Sequence, residues 1–365
     1  MALSREEAIA HSIQHSLLER NEKPGLLGKI PAAFNTTTLT FDCISPDLFR
    51  SLRQVWQVSE KSYAGSFTAD DSLVAMGDIG FSGSTFFHTK DGKYLVKSVP
   101  RQFEHSFFKD DLLEKYVDYM FNNATSLLIR ITDFLEHSQH SLGSVIGTAP
   151  SHHLVMENIM FGKEEGEKSG KWKNWDLKPM SYFFPERDIA GGALTNDETK
   201  EKLADEFKDK LVLTLDQAED FKAQLAKDTK LLSDCDAVDY SLFLVRIPLV
   251  SIKANASSDG NGTDGNLTIQ QPDGLSPPHA GPFIPPSPPS WRTGIPSSDG
   301  KYAYRAAILD FFWSKHKVYA KAMTGLISAY NVVDKQGHMS ITTTAPEYRE
   351  RFLKMCWDMI EVREG

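Results

Sequence analysis

The sequence predicts an α+β fold in two lobes. Three observations carry this expectation. A hairpin-like pair of strand runs stands early in the chain, and later groups alternate helical periodicity with short apolar strands. A length of 365 residues is enough to bury a large core in two lobes or domains. Hydrophobic content of 41% with 24% charged residues is ordinary for a globular chain and sets aside disordered and fibrous classes. Cys43, Cys235 and Cys356 are too scattered for a disulfide framework or a cysteine-rich metal site. No apolar run spans a bilayer, and the opening MALSREEAIAHSIQHSLLER lacks a signal-peptide core. A soluble or peripheral protein of the cytoplasm is therefore expected. The net charge of -9 argues against nucleic acid as a partner, while leaving room for a local basic face.

Taken in order, Ile9, Ile13 and Leu17 fall four residues apart and predict an amphipathic helix, used for packing or for a homodimer. Glu6, Glu7 and Glu19 argue against membrane contact there. Leu48, Leu52 and Val55 repeat the helical spacing. Between residues 76 and 99 the pattern changes: GFSGSTFFHT and KYLVKSV flank KDG, a turn whose glycine tolerates positive φ, so a hairpin is expected. A helix-and-strand group follows over 107–161. Thr214 with Gln217 is a capping-box signature, after which Phe221, Leu225 and Leu232 line one helix face. Residues 254–300, rich in Ser, Pro, Gly, Asn and Asp, predict a disordered insertion, because they bury too little apolar area to offset ordering. Tyr348, Phe352, Met355, Cys356, Met359 and Ile360 form the apolar stripe of a closing helix. The expected division is a helical extension over 1–40, a first lobe over 41–165 and a second over 166–365.

Several residues point to chemistry. Gly80, Ser82, Gly83 and Ser84, with Gly77 upstream, offer a loop whose backbone N–H groups can approach phosphate oxygens. Strand alternation puts Lys97 on one face with Leu95 and Val99, where an ammonium needs an anion. A snorkelling surface lysine is the bland alternative. Glu104 could aim that lysine, as in the lysine–glutamate pair of kinases, or be a solvated helix-end carboxylate. Downstream, Asp176 beside Lys178, Asp239 in AVDYSLFLVRI and Asp310 in AAILDFFWSKHK each sit at the edge of an apolar segment. A bare carboxylate inside such a run is expensive, although a strand end reaching water would also accommodate Asp310. A glycine loop, a lysine and carboxylates for Mg²⁺ and a hydroxyl are the parts of phosphoryl transfer. No HRD, DFG and APE series stands in protein-kinase order, which argues against an ordinary protein kinase. His152 and His153 lack ligand-spaced companions and are read as structural.

GFSGSTFFHTKDGKYLVKSV, preceded by SPDLFRSLRQVW and Tyr63 and followed by DLK, VDYSL, ILD and APEYRERF, resembles the phosphatidylinositol phosphate kinase family in motif order and spacing. The resemblance covers residues 41–360, interrupted by the insertion. It implies a two-lobed kinase-like fold with an antiparallel sheet in the N-lobe and a mixed α+β C-lobe. It also implies ATP and Mg²⁺ as cofactors and a phosphatidylinositol monophosphate as substrate, with phosphatidylinositol 4-phosphate 5-kinase activity expected. A phosphatidylinositol 3-phosphate 5-kinase, or a catalytically weak lipid- or partner-binding protein on the same fold, are the alternatives. Lys97 would hold nucleotide phosphates, Asp239 would be the catalytic aspartate and Asp310 the metal aspartate. Asp176 and Lys178 would lie near the transferred phosphate. The family follows DLK with Gly-Ser, whereas this chain has Pro179 and Met180, which removes a backbone donor.

After Asp310, Trp313 precedes the basic Lys315, His316, Lys317 and Lys321. Basic residues with an aromatic suit a phosphorylated headgroup and an anionic membrane surface, and a solvated helix face is the alternative. The resemblance places the family's specificity loop within 325–344. The phosphoinositide substrate and the cytoplasmic face of a membrane are the expected partners.

Overall fold

A computed structural model describes residues 5–19, 40–69, 71–78, 84–138, 150–163, 172–179, 207–249, 289–314 and 344–364. Gly80, Ser82, Gly83, Met180, Lys315, His316, Lys317, Lys321, the specificity loop and most of the insertion lie outside them.

The first lobe is a six-stranded antiparallel sheet. Its strands are β1 (Phe41–Cys43), β2 (Leu73–Asp78), β3 (Thr85–Thr89), β4 (Tyr94–Ser98), β5 (Ile131–His137) and β6 (His152–Glu157). Their spatial order is β1-β5-β6-β4-β3-β2. The hairpin expected from KDG joins β3 to β4. Asp91 accepts from Thr89 Oγ1 at 2.6 Å, and Gly92 takes φ 71°, which is why a glycine stands there. Helix α1 (Arg5–Glu19) lies on this sheet with Ile9, Ile13 and Leu17 buried. Its stripe is therefore consumed inside the chain, which removes the ground for a homodimer through that face. Helices α2 (Pro46–Val55) and α3 (Glu60–Gly65) follow β1, matching the spacing of Leu48, Leu52 and Val55. Helix α4 (Gln102–Phe107), one π-helical turn (Phe108–Leu112) and α5 (Leu113–Asn122) pass from β4 to β5.

The second lobe is built on an antiparallel sheet of β7 (Lys173–Leu177), β10 (Ser241–Pro248), β11 (Ile295–Pro296) and β12 (Tyr302–Leu309), in the order β11-β12-β10-β7. Two small ladders accompany it. β9 (Ala237–Val238) pairs antiparallel with β13 (Trp313–Ser314), and β8 (Leu211–Leu213) pairs parallel with β14 (Ile360–Val362). Helix α6 (Leu215–Asp234) starts at the predicted capping box, with the Thr214 hydroxyl accepting from Gln217 N and the Gln217 side chain accepting from Thr214 N. Its Phe221, Leu225 and Leu232 are fully buried, as the periodicity predicts. Helix α7 (Ala345–Asp358) packs beside it and carries a second capping box, Thr344 with Glu347.

The expected insertion needs one correction: its last dozen residues are structure. Trp291 stacks on Phe221 with ring centroids 4.0 Å apart, and β11 pairs with β12. Arg292 donates to the carbonyls of Ser126 and Leu128, at 2.5 and 2.6 Å, and ion-pairs with Glu157. Arg305 donates to the carbonyls of Ile159 and Phe161. Ile308 also exchanges backbone hydrogen bonds with Leu127 and Ile129. These contacts stitch the second sheet to the first, and so fix where Lys97 stands relative to Asp310.

Candidate active site

Strand register gathers the acids. β10 and β12 pair so that Ser241 faces Leu309, and β7 joins β10 so that Leu177 faces Leu242. Asp239, just before β10, Asp310, just after β12, and Lys178, just after β7, therefore lie at one end of one sheet, with Asp176 the penultimate residue of β7. Three motifs far apart in sequence converge because antiparallel pairing aligns their ends.

From the other lobe, Lys97 on β4 reaches into this end and ion-pairs with Asp310. Its ammonium also lies 5.5 Å from the Phe86 ring centroid on the neighbouring strand. Lys178 Nζ stands 3.0 Å from Asp239 Oδ1. The site thus alternates two lysines with three carboxylates. Burial alone would raise the Asp310 carboxyl, but the ammonium groups of Lys97 and Lys178 outweigh it and hold Asp310 below the usual carboxylate range. Crowding by protein, then the like charge of Asp310, push the Asp176 carboxyl up, although Asp176 keeps an exposed edge and Lys178 works against the rise. Burial disfavours the Lys178 ammonium, yet Asp239, Asp310 and Asp176 together raise its affinity for the proton, so Lys178 stays charged.

The backbone at both acids is unusual. Asp239 has φ 64° and Asp310 φ 61°, in the left-handed region that L-residues other than Asn and Asp seldom adopt. Asp236 shares it at φ 60°. Such conformations persist where the surroundings hold them, and each stands at the point where the chain enters or leaves its strand.

Glu104 does not make the expected contact with Lys97. Its Oε1 accepts from Trp313 Nε1 at 2.7 Å and from Arg101 NH1 at 3.2 Å. Burial pushes its carboxyl up, against the opposing charges of Arg101 and Lys97. Lys97 pairs with Asp310 instead, so the metal aspartate of the resemblance takes the place expected of Glu104. Trp313, expected at a membrane face, is buried beneath α4 instead. Ser84, at the end of the glycine loop, is buried next to β3. Sequence reasoning missed Arg101 and the indole N–H of Trp313, whose partner no local pattern indicates.

The sequence matches a family model described as phosphatidylinositol-4-phosphate 5-kinase over residues 67–359. The chain belongs to that family. Similar curated proteins include a probable phosphatidylinositol phosphate kinase of Dictyostelium discoideum, 25% identical over 58% of this chain and 28% of the relative. Phosphatidylinositol 4-phosphate 5-kinase its3 of Schizosaccharomyces pombe is 30% identical over 33% of this chain and 15% of the relative. Phosphatidylinositol 4-phosphate 5-kinase 5 of Arabidopsis thaliana is 26% identical over 54% of this chain and 24% of the relative. The chain spans less than a third of the length of each of these. Family membership agrees with the α+β architecture of two sheets flanked by helices.

The donor set fits a nucleotide with Mg²⁺. Among the described residues no three His, Cys, Asp or Glu side chains come close enough together to hold a metal ion by themselves. Mg²⁺ does not require such a set, since it commonly takes one or two carboxylates with water and phosphate oxygens. Asp310, with about a third of its side chain exposed, keeps a face open for that purpose.

Proposed function

We propose that the chain is an ATP-dependent kinase of phosphatidylinositol monophosphates, acting as a phosphatidylinositol 4-phosphate 5-kinase. The observation that carries this reading is the Lys97–Asp310 ion pair, which brings the candidate nucleotide lysine of one lobe onto the candidate metal aspartate of the other. Each group is the other's counter-charge here. In the bound complex, nucleotide phosphates would face Lys97 and Mg²⁺ would face Asp310, so neither is left bare. The metal would neutralise charge on the phosphates.

The family resemblance and the proximity of these groups support further roles. Asp239 would orient the attacking inositol hydroxyl and accept its proton. Lys178, kept cationic by three carboxylates, would offer positive charge beside the transferred phosphate. Asp176, open at its edge, would complete the acidic side near that phosphate. The names of the Schizosaccharomyces and Arabidopsis relatives support the 4-phosphate as substrate. Among the described residues no helix is long and apolar enough to cross a membrane. Peripheral attachment to an anionic cytoplasmic face, through Lys315, Lys317 and Lys321, is part of this proposal.

A radiolabelled assay over the three phosphatidylinositol monophosphates in vesicles tests it. The expected product is phosphatidylinositol 4,5-bisphosphate from the 4-phosphate. Faster turnover of the 3-phosphate would overturn the substrate assignment. Tight ATP binding with no lipid phosphorylated would indicate a silent member of the family, a reading motivated by Pro179 at the position of the family's glycine.

A further inference from the structure

We infer that Trp313 is a positioning residue: through its indole N–H on Glu104 and its backbone ladder to Val238, it sets Asp310 and Asp239 together against helix α4. This deepens the kinase reading and rests on it.

The backbone argument comes first. Trp313 pairs with Val238 and Ser314 with Ala237, so the two-residue ladder joins the residue next to Asp239 to the segment just past Asp310. Ser314 Oγ donates to Asp236 Oδ2 at 3.1 Å, adding a side-chain tie across the same ladder. Phe312 N donates to the Asp310 carbonyl at 2.9 Å, so only one tight turn separates the carboxylate from Trp313. Asp236, Asp239 and Asp310 all have left-handed φ, a conformation that requires support from outside the residue. The ladder is that support, and Trp313 is its member with a long-range anchor.

The side chain supplies the anchor. The indole lies under α4, with the Phe103 ring edge-on at 4.5 Å and the Arg101 guanidinium 5.4 Å from its ring. Its Nε1 donates to Glu104 Oε1 at 2.7 Å, a charge-assisted hydrogen bond in a buried setting. Helix α4 follows β4 after three residues, so the same short segment carries Lys97 and the acceptor for Trp313. A shift of α4 would therefore move the lysine and both acids in concert. Glu104 acts here through Trp313 rather than by a direct bond to the lysine.

Amide hydrogen exchange on the purified chain tests this with substitutions at both ends of the hydrogen bond. Trp313→Phe keeps a ring against Phe103 and removes only the N–H. It should speed exchange about tenfold at residues 310–314 and also at 236–241, with no change in α6. Glu104→Ala should reproduce both effects, and Glu104→Gln, which retains an acceptor oxygen, should restore slow exchange. The double variant Trp313→Phe with Glu104→Ala should exchange no faster than either single variant. Acceleration confined to 310–314, or effects of the two changes that multiply, would overturn the inference. If Trp313→Phe does not fold, the contrast between Glu104→Ala and Glu104→Gln carries the same decision. Turnover separates this inference from the kinase reading. The coupled exchange pattern in a chain that phosphorylates no lipid refutes the kinase reading alone. An active chain without the coupled pattern refutes the positioning role alone.

Discussion

Lys97 and Asp310 lie 213 residues apart, yet each answers the electrostatic need of the other. Replacing Lys97 by Met keeps the packing against Phe86 and leaves Asp310 with an exposed side on which water can substitute. Lys97→Met should therefore abolish lipid turnover while the melting temperature stays within a few degrees of the parent. Loss of the fold in that variant would mark the lysine as structural. The charge also sets a pH dependence. Asp310 titrates below its unfolded value, so its stabilising contribution is complete above the unfolded pKa of about 4 and disappears as pH falls through the folded one. The stability difference between the parent and Asp310→Asn, from urea unfolding, should shrink as pH is lowered from 6 to about 3. At this scale the sequence reveals which residues need partners: an acid between Ala-Ala-Ile-Leu and Phe-Phe-Trp and a lysine between aliphatic neighbours both demand one. Which partner each finds is decided by register and lobe contact. For that reason the pairing of Glu104 with Trp313, 209 residues apart, is not legible.

Elements announced by periodicity or capping chemistry are found where expected, because helix faces and caps are local properties. The Thr214–Gln217 box, the buried stripe of α6 and the Gly92 hairpin turn all follow from neighbouring residues. Residues 289–300 differ, since a tract dominated by Ser, Pro and Gly hides the two side chains that anchor it. Trp291 and Arg292 are the signal that composition averages away. Trp291→Ala should cost about 3–5 kcal/mol in denaturant unfolding, through loss of the ring on Phe221. Replacing 254–288 by a short Gly-Ser linker should leave stability and activity in place, because loop-closure entropy varies slowly with length. Extending that deletion to Gly300 should unfold the chain, and a stable product would show that β11 and Arg292 are dispensable. Asp228 makes the complementary case within α6. Its carboxylate accepts from Tyr119 OH, Ser126 Oγ, Leu127 N and Gln224 Nε2 at 2.7–2.9 Å, so Asp228→Asn places an amide N–H₂ against donors. That change should destabilise by about 1–3 kcal/mol in the same measurement.

At the scale of the whole molecule, two lobes stitched by Arg292, Arg305 and Ile308 hold the acids at one end of the second sheet, and the lysines follow Ser314 in sequence. A net charge of -9 would by itself repel an anionic bilayer, so the proposed attachment would require a local basic segment. Lys315, Lys317 and Lys321 follow Asp310 within a dozen residues and are the candidates for that segment. Each lysine near an anionic surface is worth about 1 kcal/mol, so under the proposed attachment three of them would raise local substrate concentration by roughly two orders of magnitude. The Debye length of about 8 Å at physiological ionic strength makes such attraction fade with added salt. Changing all three lysines to glutamate should reduce sedimentation with vesicles containing phosphatidylinositol 4-phosphate, and reduce lipid turnover in parallel. ATP affinity should remain close to the parent, because Lys97 and the acid cluster are untouched. Vesicle binding that persists in the triple variant with the parent's salt dependence would locate the membrane face elsewhere on the protein.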